Sequence, residues 1–454
     1  MMQKANNCLA LIGILSFLIP VIYICNYLNK NEELNFFYAN ALILIGLFAI
    51  CISYYEANTF LFSSGFWFCV TIIFYIVLKS IQLMLNDENL KELNRALWAC
   101  VVFVFVYAFV FRLAKSIKYK VHNYDFDIAA KKAKFLFIVF LVFKSFSFYI
   151  VLKNLGSNVL DVSAETQNQG AAYIYRIPMV VNTIMICFMV TYFRSKTNKK
   201  YVFYTVAIFI AEALISSSRY SLIILAFWFM LLYHQYRRPI RIRTLFLSFI
   251  PLALLSVIFG YMRNIEIGSL DIFLKVANVL FEEPKLIIDL FLGRLDMLPQ
   301  IEKGIDIYES GQIHTMYGLS YIYSFLHAIP RNLWDGKPLL TAALLTSITH
   351  PAEFNDGVNL YPSAIVESIF NFGWFGLLIS SSMMAVLASI YDRLLMGKRL
   401  YYIVWSYLCL TFPMGLFNEG FHSNYVANTI YVTILFSILW SFMRLSRCVV
   451  RIRT

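Results

Sequence analysis

Arg176, Arg219, Arg263, Arg294, Arg331 and Lys337 stand at the ends of apolar runs or inside the one long polar interruption of this chain. A guanidinium is a planar fork that pairs bidentately with phosphate oxygens. Several forks around one cavity would suit a diphosphate. Candidate proton acceptors occupy the same part of the sequence. Glu367 follows Tyr361-Pro362-Ser363, a plausible helix start, and His350 and His422 lie on either side of it, with His314 and His327 further upstream. A carboxylate or imidazole beside a sugar hydroxyl can take its proton as the oxygen attacks. Tyr321, Tyr323 and Trp334 offer flat faces on which sugar rings could stack. Each residue also has an ordinary role. Arginines at helix ends snorkel to headgroups, single histidines are commonly satisfied structurally, and aromatic side chains commonly pack.

Other chemistries find little support. There is no Gly-rich phosphate loop, no GxSxG elbow and no HExxH. The eight cysteines lie in apolar runs or in the basic tail, with no CxxC or Cys/His spacing. A zinc site and a disulfide framework are therefore not expected. No dense carboxylate cluster is present to hold magnesium. The expectation is a reaction needing neither metal nor cofactor.

The elements that must position these residues are membrane helices. The chain has 454 residues, 60% of them hydrophobic and 14% charged, against about 25% charged in soluble domains. Crossing the hydrocarbon core takes about 20 apolar residues. Candidate spans fall near 8–28, 36–55, 59–79, 96–114, 135–153, 172–193, 201–217, 219–235, 244–262, 363–391, 400–417 and 426–443. The first resembles a signal peptide but lacks a small-residue cleavage site, so it reads as a retained helix. The seventh and eighth are joined by a tight turn at Ser216-Ser217-Ser218, and 363–391 is longer than one crossing needs. No long internal repeat is visible, which weakens an inverted-repeat transporter.

Charge sets the expected orientation. The net charge of +12 is concentrated in short basic segments, 112–134, 194–200, 237–243, 393–399 and 444–453. With twelve spans all of these fall on one side, which the positive-inside rule makes cytoplasmic. That distribution speaks for topology and against nucleic acid. Both termini are then cytoplasmic. The expected organisation is a transmembrane region over 1–262 with about nine spans, a large external loop over 263–361, and a second transmembrane region over 362–454 with about three. Within the loop, Leu270–Leu292 is apolar but broken by Glu282-Glu283-Pro284. It reads as two short helices at the membrane interface, or else as an extra hairpin or ordinary packed helices. The outward-facing arginines, with Glu367, Glu419 and His422, lie opposite the cytoplasmic charge. Lys144 falls mid-span with no evident partner.

Short motifs here resemble a known family. Ser217-Ser218-Arg219-Tyr220 opens an apolar helix, and Ile329-Pro330-Arg331-Asn332-Leu333-Trp334 precedes Lys337-Pro338. Pro362-Ser363 is followed by Glu367 and by Asn371-Phe372-Gly373-Trp374-Phe375-Gly376, and Asn418-Glu419-Gly420 separates the last two spans. Their order is similar to that of Wzy-type O-antigen (oligosaccharide repeat-unit) polymerases over about 170–440, and the plan of spans with one large late loop is similar over the whole chain. Arginine-x10-glycine pairs found in some members are absent in clean form, since Arg294 to Gly304 is one residue short.

The resemblance implies an all-α integral membrane protein of about twelve spans, GT-C-like, in a bacterial inner membrane. It implies transfer of a growing glycan from undecaprenyl diphosphate to the non-reducing end of an incoming lipid-linked repeat unit, in lipopolysaccharide or related surface-polysaccharide biosynthesis. Arg219 and Arg331 would hold the donor diphosphate. Partners would be the lipid-linked donor and acceptor oligosaccharides, membrane lipid and a chain-length regulator protein. Two other readings stay open: O-antigen ligase, and a flippase or other transporter of lipid-linked oligosaccharide.

Overall fold

The computed structural model describes residues 32–52, 63–85, 93–116, 130–155, 176–215, 219–240, 297–326, 334, 336–355, 360, 362–396, 417, 418, 420 and 421, with isolated positions at 244, 247, 433, 434, 437, 438 and 441. Every regular element among them is helical. In order these are α1 (Glu32–Ile52), α2 (64–85), α3 (Asn94–Ser116), α4 (Ala130–Leu155), α5 (Arg176–Ser195), α6 (Lys199–Ile215) and α7 (Arg219–Tyr236). After the long interruption begins come α8 (Met297–Glu309), α9 (Leu319–Leu326), α10 (Thr341–Thr349), α11 (Pro351–Asn355), α12 (Ser363–Phe372) and α13 (Gly376–Met396). Helix α2 carries a π-helical stretch, Ile73–Leu78, between two α-helical parts.

Among the described residues, three helical stretches are long and apolar enough to cross a membrane: Ser64–Leu83, Asn94–Ser116 and Ser363–Leu394. Phe36–Cys51 is apolar but shorter. These helices indicate a membrane protein.

The third stretch, 32 residues long, is not a straight rod. Its chain turns at Gly373–Phe375, a 3-10 segment between α12 and α13. Eight residues along a straight helix would separate Ser368 from Gly376 by about 12 Å. Instead a Cβ placed on Gly376 would overlap the Ser368 carbonyl. The two helices therefore fold onto each other, and only glycine allows the approach. This accounts for the excess length of the expected 363–391 span: α12 is a buried ten-residue piece, and α13, with 21 residues, is long enough for one crossing.

Helix α3 sits centrally, packed against α1 and α13. Phe68 of α2 stacks on Tyr107 of α3 at 3.8 Å, and Phe417 wedges edge-on between Phe68 and Phe103. End contacts give the helices' relative sense. Near one end Ser80 of α2 bonds Asn40 of α1 at 2.8 Å. At the other, Asp392 accepts from the Ser64 backbone N–H at 2.6 Å, and the Arg393 guanidinium donates to the Ala114 carbonyl. So α3 and α13 run in the same direction, opposite to α2.

A second apolar cluster gathers α4, α5, α6 and α7. A short link, 196–198, joins α5 to α6, and Arg237, just past α7, donates to the Tyr192 carbonyl near the end of α5 at 3.3 Å. Helices α5 and α7 are thus parallel, and their first residues, Arg176 and Arg219, share the opposite end. The expected turn 216–218 lies outside the described residues. Lys144, buried on α4, has its ammonium 5.7 Å from the centre of the Phe209 ring on α6, a cation–π contact available to a desolvated lysine.

Candidate functional site

Segments far apart in the chain meet around Glu367. Helix α12 is short and buried over Ser363–Asn371, so its polar side chains must find partners inside the protein. The Asn371 amide N–H₂ donates to Ser320 Oγ at 2.7 Å, and Ser320 Oγ donates to Glu367 Oε1 at 2.6 Å. The second carboxylate oxygen accepts from the Phe421 backbone N–H. Gly420, at φ +77°, lies so close that a Cβ there would overlap Glu367 Oε2. One buried carboxylate thereby ties together α9, α12 and the turn at 417–421.

Aromatic side chains surround this knot. The Tyr321 ring packs edge-on to Phe421 at 5.2 Å and near Phe372 at 6.1 Å, and its hydroxyl pairs with Ser380 of α13. Burial first, and the charge of Glu367 second, push the Tyr321 phenol up from its ordinary range. It stays protonated and acts as a neutral hydrogen-bonding group. Tyr323 instead meets Trp334 edge-on at 6.1 Å, and the Trp334 carbonyl accepts from the Lys337 N–H at 3.1 Å. Lys337 is buried. The three expected sugar-stacking residues are each half-buried, with Tyr321 against the Glu367 knot and Tyr323 and Trp334 paired with each other.

His350 caps the end of α10, where its N–H donates to the Thr346 carbonyl at 2.8 Å and the Thr346 hydroxyl accepts from the Leu360 N–H at 2.8 Å, three residues before α12. Its Nε2 lies 3.4 Å from Lys303 Nζ of α8, and its Nδ1 lies 2.8 Å from Thr349 Oγ1. Both ring nitrogens are therefore within reach of polar neighbours. Arg176 and Arg219 are the first residues of α5 and α7. The start of a helix carries the positive end of its dipole, which favours an anion. Arg263, Arg294, Arg331 and His422 lie outside the described residues.

Sequence reasoning overlooked Arg95. It opens α3 and faces three carboxylates spaced along one side of α8: Glu302 and Glu309, each at 2.6 Å, and Asp306. Glu302 also accepts from the Ala96 backbone N–H at 2.7 Å, capping the helix. The signal was present as acids at positions 302, 306 and 309, a helical stripe within a segment otherwise read as loop. Among the described residues no group of three or more His, Cys, Asp or Glu could hold a metal ion.

Compared with protein-family models, with curated proteins and with solved structures, the chain matches none.

Proposed function

We propose that this chain polymerises lipid-linked oligosaccharide repeat units, with about twelve spans in a GT-C-like arrangement and the 263–361 region on the external face of a bacterial inner membrane. The acceptor sugar hydroxyl attacks the anomeric carbon of the donor glycan. The bond from that carbon to the diphosphate oxygen breaks, and undecaprenyl diphosphate leaves with the electron pair. The proton passes to Glu367 or to a histidine, His350 or His422. Arg219 and Arg331, with Arg176, Arg263, Arg294 and Lys337 nearby in the same scheme, offset the charge growing on the diphosphate.

The observation that carries this reading is the convergence at Glu367. The segments around Ser320, Glu367–Asn371 and Gly420–Phe421 are distant in sequence, and the last two carry motifs of the resemblance; all share one hydrogen-bond network. The common placement of Arg176 and Arg219 at one end of α5 and α7 adds to it. Arg219→Ala and Arg331→Ala are expected to abolish long-chain polymer in cells while leaving single repeat units and normal membrane levels of protein. Wild-type ladders of chain length from both variants would rule the reading out. Loss of even the single unit would point to a ligase.

A further inference from the structure

We infer that helix α9 lies in the membrane interface, with its outward face against lipid, although it belongs to the segment that reads as an aqueous loop. Its polarity is inside out. Ser320 and Ser324 are buried, with Ser320 bonded to Glu367 and Asn371 and Ser324 donating to the Ser320 carbonyl at 3.0 Å. The Tyr321 hydroxyl also turns inward, to Ser380. The opposite face presents Leu319, Ile322, Phe325 and Leu326, with Phe325 68% exposed. A surface helix in water turns its apolar stripe inward and its polar residues out. This helix does the reverse, which suits an apolar solvent on its outer side.

The occupant follows from continuity. The Tyr321–Ser380 contact joins α9 to the first turns of α13, a helix long enough to cross the bilayer. Beside Ser380, Leu378 and Ile379 are exposed, and so are Trp374 and Phe375 in the preceding turn. The outward face of α9 extends that lipid-facing stripe. Exposed Tyr317 and Trp374 mark the headgroup level, where amphipathic rings collect. Ser310, Gln312 and His314, in the turn before α9, are exposed and polar, as expected of the aqueous side.

A nitroxide attached to Phe325→Cys or Ile322→Cys in the full-length protein, reconstituted into phosphatidylglycerol/phosphatidylethanolamine vesicles, tests this. The wild-type chain labelled in parallel supplies the background of its own cysteines, and Gln312→Cys supplies the aqueous reference. All three positions are exposed, so the substitutions disturb no core packing. At 325 and 322 the ratio of oxygen to water-soluble nickel-complex accessibility is expected to be several-fold higher than at 312. Equal ratios at all three positions would overturn the inference by placing α9 in water. Shielding of 325 and 322 from both reagents would overturn it by showing protein on that face.

Discussion

The carboxylate of Glu367 is fully buried, and each of its oxygens already accepts a hydrogen bond. For an acceptor sugar to reach it, one of these contacts must open. Two roles can be separated by experiment. Glu367→Ala leaves the Ser320 hydroxyl and the Phe421 N–H without their acceptor, and each unsatisfied buried donor costs about 1–3 kcal/mol. A clear fall in melting temperature in detergent is expected. Glu367→Gln keeps the shape and one acceptor oxygen, so it is expected to fold with a smaller loss. If Glu367 takes the proton, the Gln variant loses glycan transfer out of proportion to its stability. If Glu367 only positions the turn, transfer falls in step with melting temperature. Glu367 was legible in the sequence because a carboxylate at the start of an apolar span requires an explanation. Its partners were not, since Ser320 and Phe421 carry no signal of their own.

At the level of helices, Arg95 fastens α8 to the start of α3. Removing one partner of a buried pair costs about 3–5 kcal/mol. Arg95 is 43% exposed, so solvent screening lowers that figure, and roughly 2 kcal/mol is expected for Arg95→Gln. Burial is the largest influence on Glu302 and raises its carboxyl above the ordinary glutamate range, although the Ala96 N–H and Arg95 both pull it down. A carboxyl raised on folding binds its proton more tightly in the folded state. Its contribution to stability is therefore present below the ordinary glutamate pKa and is lost as pH rises through the raised value. Arg95→Gln removes one stabiliser of the charged form and raises the carboxyl further. Thermal melts from mildly acidic to neutral pH are expected to show a steeper loss of stability with rising pH in the variant than in wild type. Parallel melting curves would refute this.

Element boundaries were legible where apolar runs are long. The expected spans 96–114, 201–217 and 219–235 correspond to α3, α6 and α7 within a few residues. The fold-back of α12 on α13 was visible only as excess length, because hydropathy does not distinguish a straight helix from one folded at Gly373-Trp374-Phe375-Gly376. Helix α8 was missed for a different reason: its acidic stripe makes it polar, and a hydropathy reading assigns polar segments to loops.

On the scale of the molecule, α3 and α13 run together, and the Arg95 and Asp392–Arg393 contacts lie at opposite ends of the bundle. The resemblance rests on short motifs in order, and two of the segments that carry them share the hydrogen-bond network at Glu367. The central claim is that this protein forms glycosidic bonds between lipid-linked oligosaccharides. The direct measurement is to incubate the purified full-length chain in detergent with defined undecaprenyl-diphosphate-linked repeat units and to separate the products by size. A ladder of glycans on lipid is expected, with undecaprenyl diphosphate released once per bond formed and no ladder made by Arg219→Ala. Repeat units recovered at their original length, from protein that remains folded and monodisperse, would contradict it.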